Sequence, residues 1–271
     1  MDQFDRSNSD RTTVKTSFVA LPVSHGGKAW TTAGELREPL ENATGGAVVI
    51  VHGSSGVDSR GAIYTGALNA GGLATLEIDL WAARGVTNPA ERPRAVTDTL
   101  PDAFAALAFL AARPGIDRLR IGIMGFSWGG VVSMLTATVP HNQTYGTPGL
   151  RFAAHAPLYP VCWVYNRVPG FELNDLTGAP VLIQAGAQDL YDAPDSAETL
   201  VASLPEAARA HVRQITYPTA GHAWDRREPD IVINDPTAHK GAGGEVPFRY
   251  DDAVTKESVR VVVGHFSTRP I

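Results

Sequence analysis

The chain has 271 residues, 44% of them hydrophobic, which is enough to bury a sizeable core, and a net charge of −5 from 23 basic and 28 acidic residues. Its basic residues are scattered, so there is no electrostatic footprint for nucleic acid or an anionic membrane, and the expected partner is a small molecule. A single cysteine, Cys162, excludes an intramolecular disulfide and a cysteine-built metal cluster. No apolar run reaches bilayer length, and the polar, acidic first ten residues lack the basic-then-apolar order of a signal peptide. A cytoplasmic location is therefore expected, or export if a leader has been removed. A monomer or homodimer is expected.

Residues 1–17 read as a flexible N-terminal segment and residues 18–271 as one α/β domain. In chain order, residues 18–21 suggest a short edge strand. Residues 46–51 then suggest a buried one, since Ala-Val-Val-Ile-Val is continuously apolar and β-branched. A helix is expected over 62–70, a strand over 73–78 and a long helix over 95–112, which stops before Arg113-Pro114-Gly115. Strands follow at 119–124, 152–158, 180–184 and 212–217, with helices at 131–138, 197–203 and 253–266. Repeated βα units of this length predict a mostly parallel central sheet with helices on both faces. The segments 141–150, 163–178 and 226–250 are rich in Pro, Gly, Asn and Asp, and read as loops walling a pocket.

The most informative stretch is 119–130, Leu-Arg-Ile-Gly-Ile-Met-Gly-Phe-Ser-Trp-Gly-Gly. An apolar strand pattern ends in Gly-x-Ser-x-Gly and a helix pattern follows, the strand–turn–helix setting of a nucleophile elbow. Ser127 is the candidate nucleophile. A serine hydroxyl needs a base to take its proton, and the base needs a carboxylate to hold its imidazole. Downstream, Val-Leu-Ile-Gln-Ala-Gly-Ala-Gln delivers Asp189 to a strand end, with Asp192 and Asp195 farther out. Val-Arg-Gln-Ile-Thr-Tyr-Pro-Thr-Ala-Gly delivers His222 to the end of another. His141, His155, His211, His239 and His265 do not follow a late strand in this way.

Acyl transfer develops an oxyanion, which calls for backbone N–H donors. Trp128, after the nucleophile, is one candidate. The loop His52-Gly53-Ser54-Ser55-Gly56 offers a second in Ser54 or Ser55, and it resembles the His-Gly-Gly-Gly loops of esterases and lipases; His52 is expected to brace it. Trp81, Tyr159, Trp163 and Trp224 are candidates for a substrate pocket wall, with Trp128 and Tyr165 near predicted strand ends as well.

With these motifs, and with Asp79-Leu-Trp-Ala-Ala-Arg-Gly after the second buried strand, the chain resembles the dienelactone hydrolase family of α/β-hydrolases over nearly all of residues 45–268. The resemblance implies a small single-domain hydrolase of the α/β-hydrolase fold, with no metal, no cofactor and little lid. The chain departs from it at the nucleophile: dienelactone hydrolases proper carry cysteine in Gly-x-Cys-x-Gly, whereas Ser127 stands here and Cys162 lies elsewhere as a small apolar residue. The expected function is thus a serine carboxylesterase or lactonase acting on small or aryl esters. The same machinery would serve an amide or a carbamate, and a non-catalytic binding protein on this fold is the remaining alternative.

Overall fold

The computed structural model describes residues 13–268. Its centre is an eight-stranded sheet in the order β1-β2-β4-β3-β5-β6-β7-β8. β1 (Val14–His25) and β2 (Lys28–Pro39) form an antiparallel hairpin in which His25 faces Lys28. The two-residue turn places Gly26 and Gly27 at φ +57° and +75°, the pair of left-handed residues that a tight hairpin turn requires. β2 also runs antiparallel to β4 (Ala74–Asp79). The remaining strands are parallel: β3 (Ala47–Val51), β5 (Ile121–Phe126), β6 (His155–Leu158), β7 (Val181–Gly186) and β8 (Val212–Tyr217).

Every residue of β3, β5 and β7 is buried, as expected for strands covered on both faces. Successive side chains alternate between the two layers. Val49, Val51, Ile121 and Ile123 pack with α2 (Leu100–Ala111), α3 (Trp128–Leu135) and α5 (Ser196–Ser203). Val48, Ile50, Met124 and Phe126 pack with α1 (Ser59–Ala70) and the closing helix α6 (Asp252–Ser267). Asp58 caps α1 by accepting from the Arg60 amide, and Asp251 caps α6 by accepting from that of Val254. Among the described residues no helix is long and apolar enough to cross a membrane.

The chain passes from β3 outward to β4, then returns across β3 to β5, so the strand order reverses at the β3–β5 pair. Such a switch point opens a crevice at the carboxyl ends of the strands.

Several sequence expectations need correction. Residues 1–12 of the expected flexible segment lie outside the described residues, and residues 14–17 belong to β1, which is three times the expected four-residue strand. β2 was unexpected. Its Ala, Thr, Gly and charged residues form a half-exposed antiparallel strand with little apolar signature. The expected helix over 95–112 opens as a 3-10 turn, Val96–Thr99, before α2 begins. The 141–150 segment starts inside α4 (Val139–Tyr145). The 226–250 segment holds a two-stranded antiparallel sheet, β9 (Ile231–Asp235) with β10 (Gly244–Phe248), missed because it is separate from the main sheet and β9 is mostly exposed.

Candidate active site

Ser127 occupies the turn between β5 and α3 with φ +51° and ψ −107°, a conformation a non-glycine residue adopts only where its surroundings impose it. The surroundings are backbone. The Ser127 amide donates to the Leu158 carbonyl (3.0 Å), and the Ser127 carbonyl accepts from Val131 (2.9 Å). A Cβ on Gly125 would lie 2.3 Å from the Gly129 oxygen, and one on Gly129 only 2.1 Å from that of Val51. The motif's glycines are thus sites of close approach, and they leave Ser127 half-exposed above a buried strand.

Asp189 follows β7 and His222 follows β8, and the sheet brings both to Ser127. His222 Nε2 lies 2.9 Å from Ser127 Oγ, and His222 Nδ1 lies 2.7 Å from Asp189 Oδ2. The imidazole is 1% exposed. The second oxygen of Asp189 accepts from the Tyr191 amide at 2.9 Å, so the carboxylate is fixed at both ends. Tyr191, Tyr159 and Phe248 surround the imidazole with centroid distances of 4.4, 4.8 and 5.3 Å. Phe248 lies on β10, which also bridges His222. Asp192 lies outside this hydrogen-bonded path. It accepts from the Cys162 and Trp163 amides (2.6 and 2.8 Å), while burial and the nearby Asp189 push its carboxyl up to about 6.

The Trp128 amide opens α3 and, among the described residues, has no acceptor, as expected for the first turn of a helix. The amides of Ser54 and Ser55 likewise have none in the turn closed by Gly56 N–H to Gly53 O (3.1 Å). His52 braces that turn. Its Nε2 accepts from the Leu80 amide (2.9 Å), which makes Nδ1 the protonated nitrogen donating to Gly53 O (2.7 Å). The Trp81 indole donates to Ser54 O (3.2 Å) and meets the half-buried Trp128 ring edge-on at 5.5 Å.

The expected pocket wall needs revision. Trp224 is fully buried, edge-on to Tyr159 and Tyr217 behind the histidine, which withholds it from any substrate. Tyr159 is 1% exposed and supports His222 from beneath rather than facing outward. Trp163 is half-buried and packs over Gly241. Trp81 is largely buried but reaches the Ser54 turn, so of the four it stands nearest the candidate oxyanion loop. Cys162 is buried, and burial pushes its thiol up, the reverse of an activated nucleophile. Among the described residues no group of three or more His, Cys, Asp or Glu side chains is placed to hold a metal ion.

A buried polar network beneath the site escaped the sequence reading. Arg60 forms a two-pronged ion pair with Asp58 (2.8 and 2.5 Å) and donates to the Tyr159 hydroxyl (3.3 Å). That hydroxyl donates to Asp225 (2.6 Å), whose other oxygen accepts from Tyr64 (3.0 Å). The guanidinium also lies under Gly53, where a Cβ would come within 2.9 Å of it. Arg60, Tyr159 and Asp225 thereby tie the His52–Gly56 turn to the loop carrying His222. The one local cue is that Asp225 stands three residues after His222; the partners come from distant segments.

Comparison with known proteins agrees with this architecture. A protein of Salmonella typhimurium with the provisional name carboxymethylenebutenolidase is 36% identical over 129 residues, 44% of this chain and 42% of that relative. The match therefore spans about two fifths of the relative's length. A crystal structure from Klebsiella pneumoniae, provisionally named dienelactone hydrolase, superposes with a TM-score of 0.63 over 94% of this chain and 100% of the other, at 20% identity. Esterase 2 of Thermogutta terrifontis superposes with a TM-score of 0.60 at 14% identity, covering 91% of each chain. Both share the fold. The model of the dienelactone hydrolase family matches residues 34–268, and the chain belongs to that family.

Proposed function

We propose that this chain is a serine hydrolase of carboxylic esters, acting through Ser127, His222 and Asp189. The observation that carries the reading is the continuous hydrogen-bonded path Asp189–His222–Ser127, mounted on a strained elbow at the switch point of the sheet. His222 Nε2 takes the hydroxyl proton as Ser127 Oγ attacks the ester carbonyl. The resulting oxyanion is received by the amide of Trp128 and that of Ser54 or Ser55. Collapse breaks the ester C–O bond, the alcohol leaves with the proton held by His222, and an acyl-enzyme remains. Water then gives a proton to His222 as it attacks the acyl carbon; the bond from that carbon to Ser127 Oγ breaks, Oγ takes the proton back from His222, and the acid leaves. Asp189 keeps the Nδ1 proton directed toward itself, leaving Nε2 free to act as base.

The Trp81–Trp128 edge beside the candidate oxyanion donors supports small or aryl esters as the substrate class. The test is hydrolysis of p-nitrophenyl esters of increasing chain length. Wild-type turnover should fall by roughly 10³-fold or more in Ser127→Ala. Equal inertness of both proteins, or equal activity, would overturn the proposal.

A further inference from the structure

The proposed chemistry uses only the carboxyl ends of the parallel strands. At their amino ends, segments leading into β5, β6 and β7 line an open cavity of about 1090 Å³. A smaller one of about 330 Å³ adjoins it through Arg120, Ala153 and Pro180 and extends to the start of β8. At about 3.3 Å per residue, a six-residue strand such as β5 sets this groove roughly 20 Å from Ser127.

The groove reverses the charge of the chain. Arg118, Arg120 and Arg151 line the larger cavity, and Arg213 with His211 the smaller. Asp117 is the one carboxylate among the described lining residues, and it accepts from the Leu119 amide at 2.9 Å. Arg118 and Arg120 each direct one N–H to a backbone carbonyl, of Gly149 (3.3 Å) and Thr44 (2.5 Å), and Arg151 does the same to Thr177. Among the described residues none of the four arginines forms a salt bridge. Each guanidinium carries five N–H donors, so most remain for a ligand.

Two further features shape the groove. Gly178, at φ +85°, sits between Arg151 Nη1 and His211 Nε2, each 3.9 Å from where a Cβ would project. Leu119, 71% exposed, lies on the same lining with Val139, Pro148 and Pro180, so the cavity also offers an apolar surface.

We propose that this groove is a second binding site, for a small organic phosphate, with its oxygens on the forked donors of Arg120 and Arg151 and its body against the apolar lining. The positive field extends inward. His265, which lines the smaller cavity, and His155 behind it are held down to about 4 and about 3 chiefly by burial, with Arg213 and Arg151 contributing.

The test is calorimetric titration of the whole chain, in phosphate-free buffer at low salt, with adenosine monophosphate, pyrophosphate and adenosine. Saturable one-to-one binding is expected with at least one of the two phosphate probes and none with adenosine. Affinity should drop about tenfold or more in Arg151→Gln and in Arg118→Glu, and fall with added salt. Ser127→Ala should bind as wild type does, which separates this site from the one proposed for ester hydrolysis. Arg118 and Arg151 are both exposed, so neither substitution disturbs the core and both variants report on binding. The proposal is overturned by no saturable heat from either phosphate at millimolar concentration, by binding that survives both substitutions, or by binding lost in Ser127→Ala.

Discussion

Gly129→Ala is the sharpest structural perturbation of the elbow. The added methyl would stand 2.1 Å from the Val51 oxygen and 2.7 Å from that of His52, both rigid backbone, whereas ordinary contact begins at 3.4 Å. Relief therefore requires a relative shift of about 1.3 Å between α3 and the end of β3. That shift moves Ser127 and the Trp128 amide against the His52–Gly56 turn. A misplacement of about 1 Å costs roughly 10²-fold in rate, since productive geometry tolerates only about 0.5 Å. kcat on a p-nitrophenyl ester should thus fall by about 10² or more, with KM far less affected. Overpacking of this kind should also cost about 1–3 kcal/mol, read as a lower urea midpoint at unchanged slope. Gly264→Ala in α6 is the control, because nothing lies within 4 Å of its added methyl; it should leave kcat unchanged and raise stability by about 0.5–1 kcal/mol. A folded Gly129→Ala enzyme with kcat within about threefold of wild type would refute the close-approach argument.

Three further outcomes follow from buried groups. Burial holds His155 neutral down to about 3, whereas the unfolded chain protonates it near 6.5; the unfolded state binds more protons between those values, so this contribution to stability is complete above 6.5 and is lost as pH falls toward 3. His155→Leu should flatten the decline of the urea midpoint between pH 7 and 5, and the Ser133 carbonyl stays satisfied by the Thr136 hydroxyl. Glu77, tucked against Gly61, is pushed up to about 7 by burial, with Glu35 and Asp58 contributing. The folded state then binds more protons between 4.5 and 7, so Glu77→Gln should stabilise by on the order of 2–3 kcal/mol above pH 7 and little at pH 4.5, as measured by urea titration at each pH. Tyr159→Phe removes the hydroxyl joining Arg60 to Asp225 and should cost about 1.5–3 kcal/mol in the same assay; no loss would show that the network is not coupled through that hydroxyl.

What could be read from the sequence depended on how local the cause was. β3, β5 and β7 announce themselves because burial on both faces demands unbroken apolar runs, and Ser127 stands out because its turn admits only glycine two residues to either side. Chain order after strands singles out Asp189 and His222, and in the folded sheet His222 lies within hydrogen-bond distance of both Asp189 and Ser127. β2 and the β9–β10 pair were not found, since half-exposed antiparallel strands need little hydrophobic patterning. Trp224 looked like pocket wall because position near a strand end does not reveal which side of the histidine a ring occupies. The Arg60–Tyr159–Asp225 network was hidden for a related reason: its members are 66 to 99 residues apart in pairs, and only tertiary packing joins them.

Whether Ser127 is an activated nucleophile is read from covalent labelling by a fluorophosphonate, mapped by peptide mass spectrometry. A single adduct on Ser127, absent in Ser127→Ala and formed far more slowly in His222→Ala, is the predicted result. No adduct, or an adduct on another residue that persists in Ser127→Ala, would contradict it.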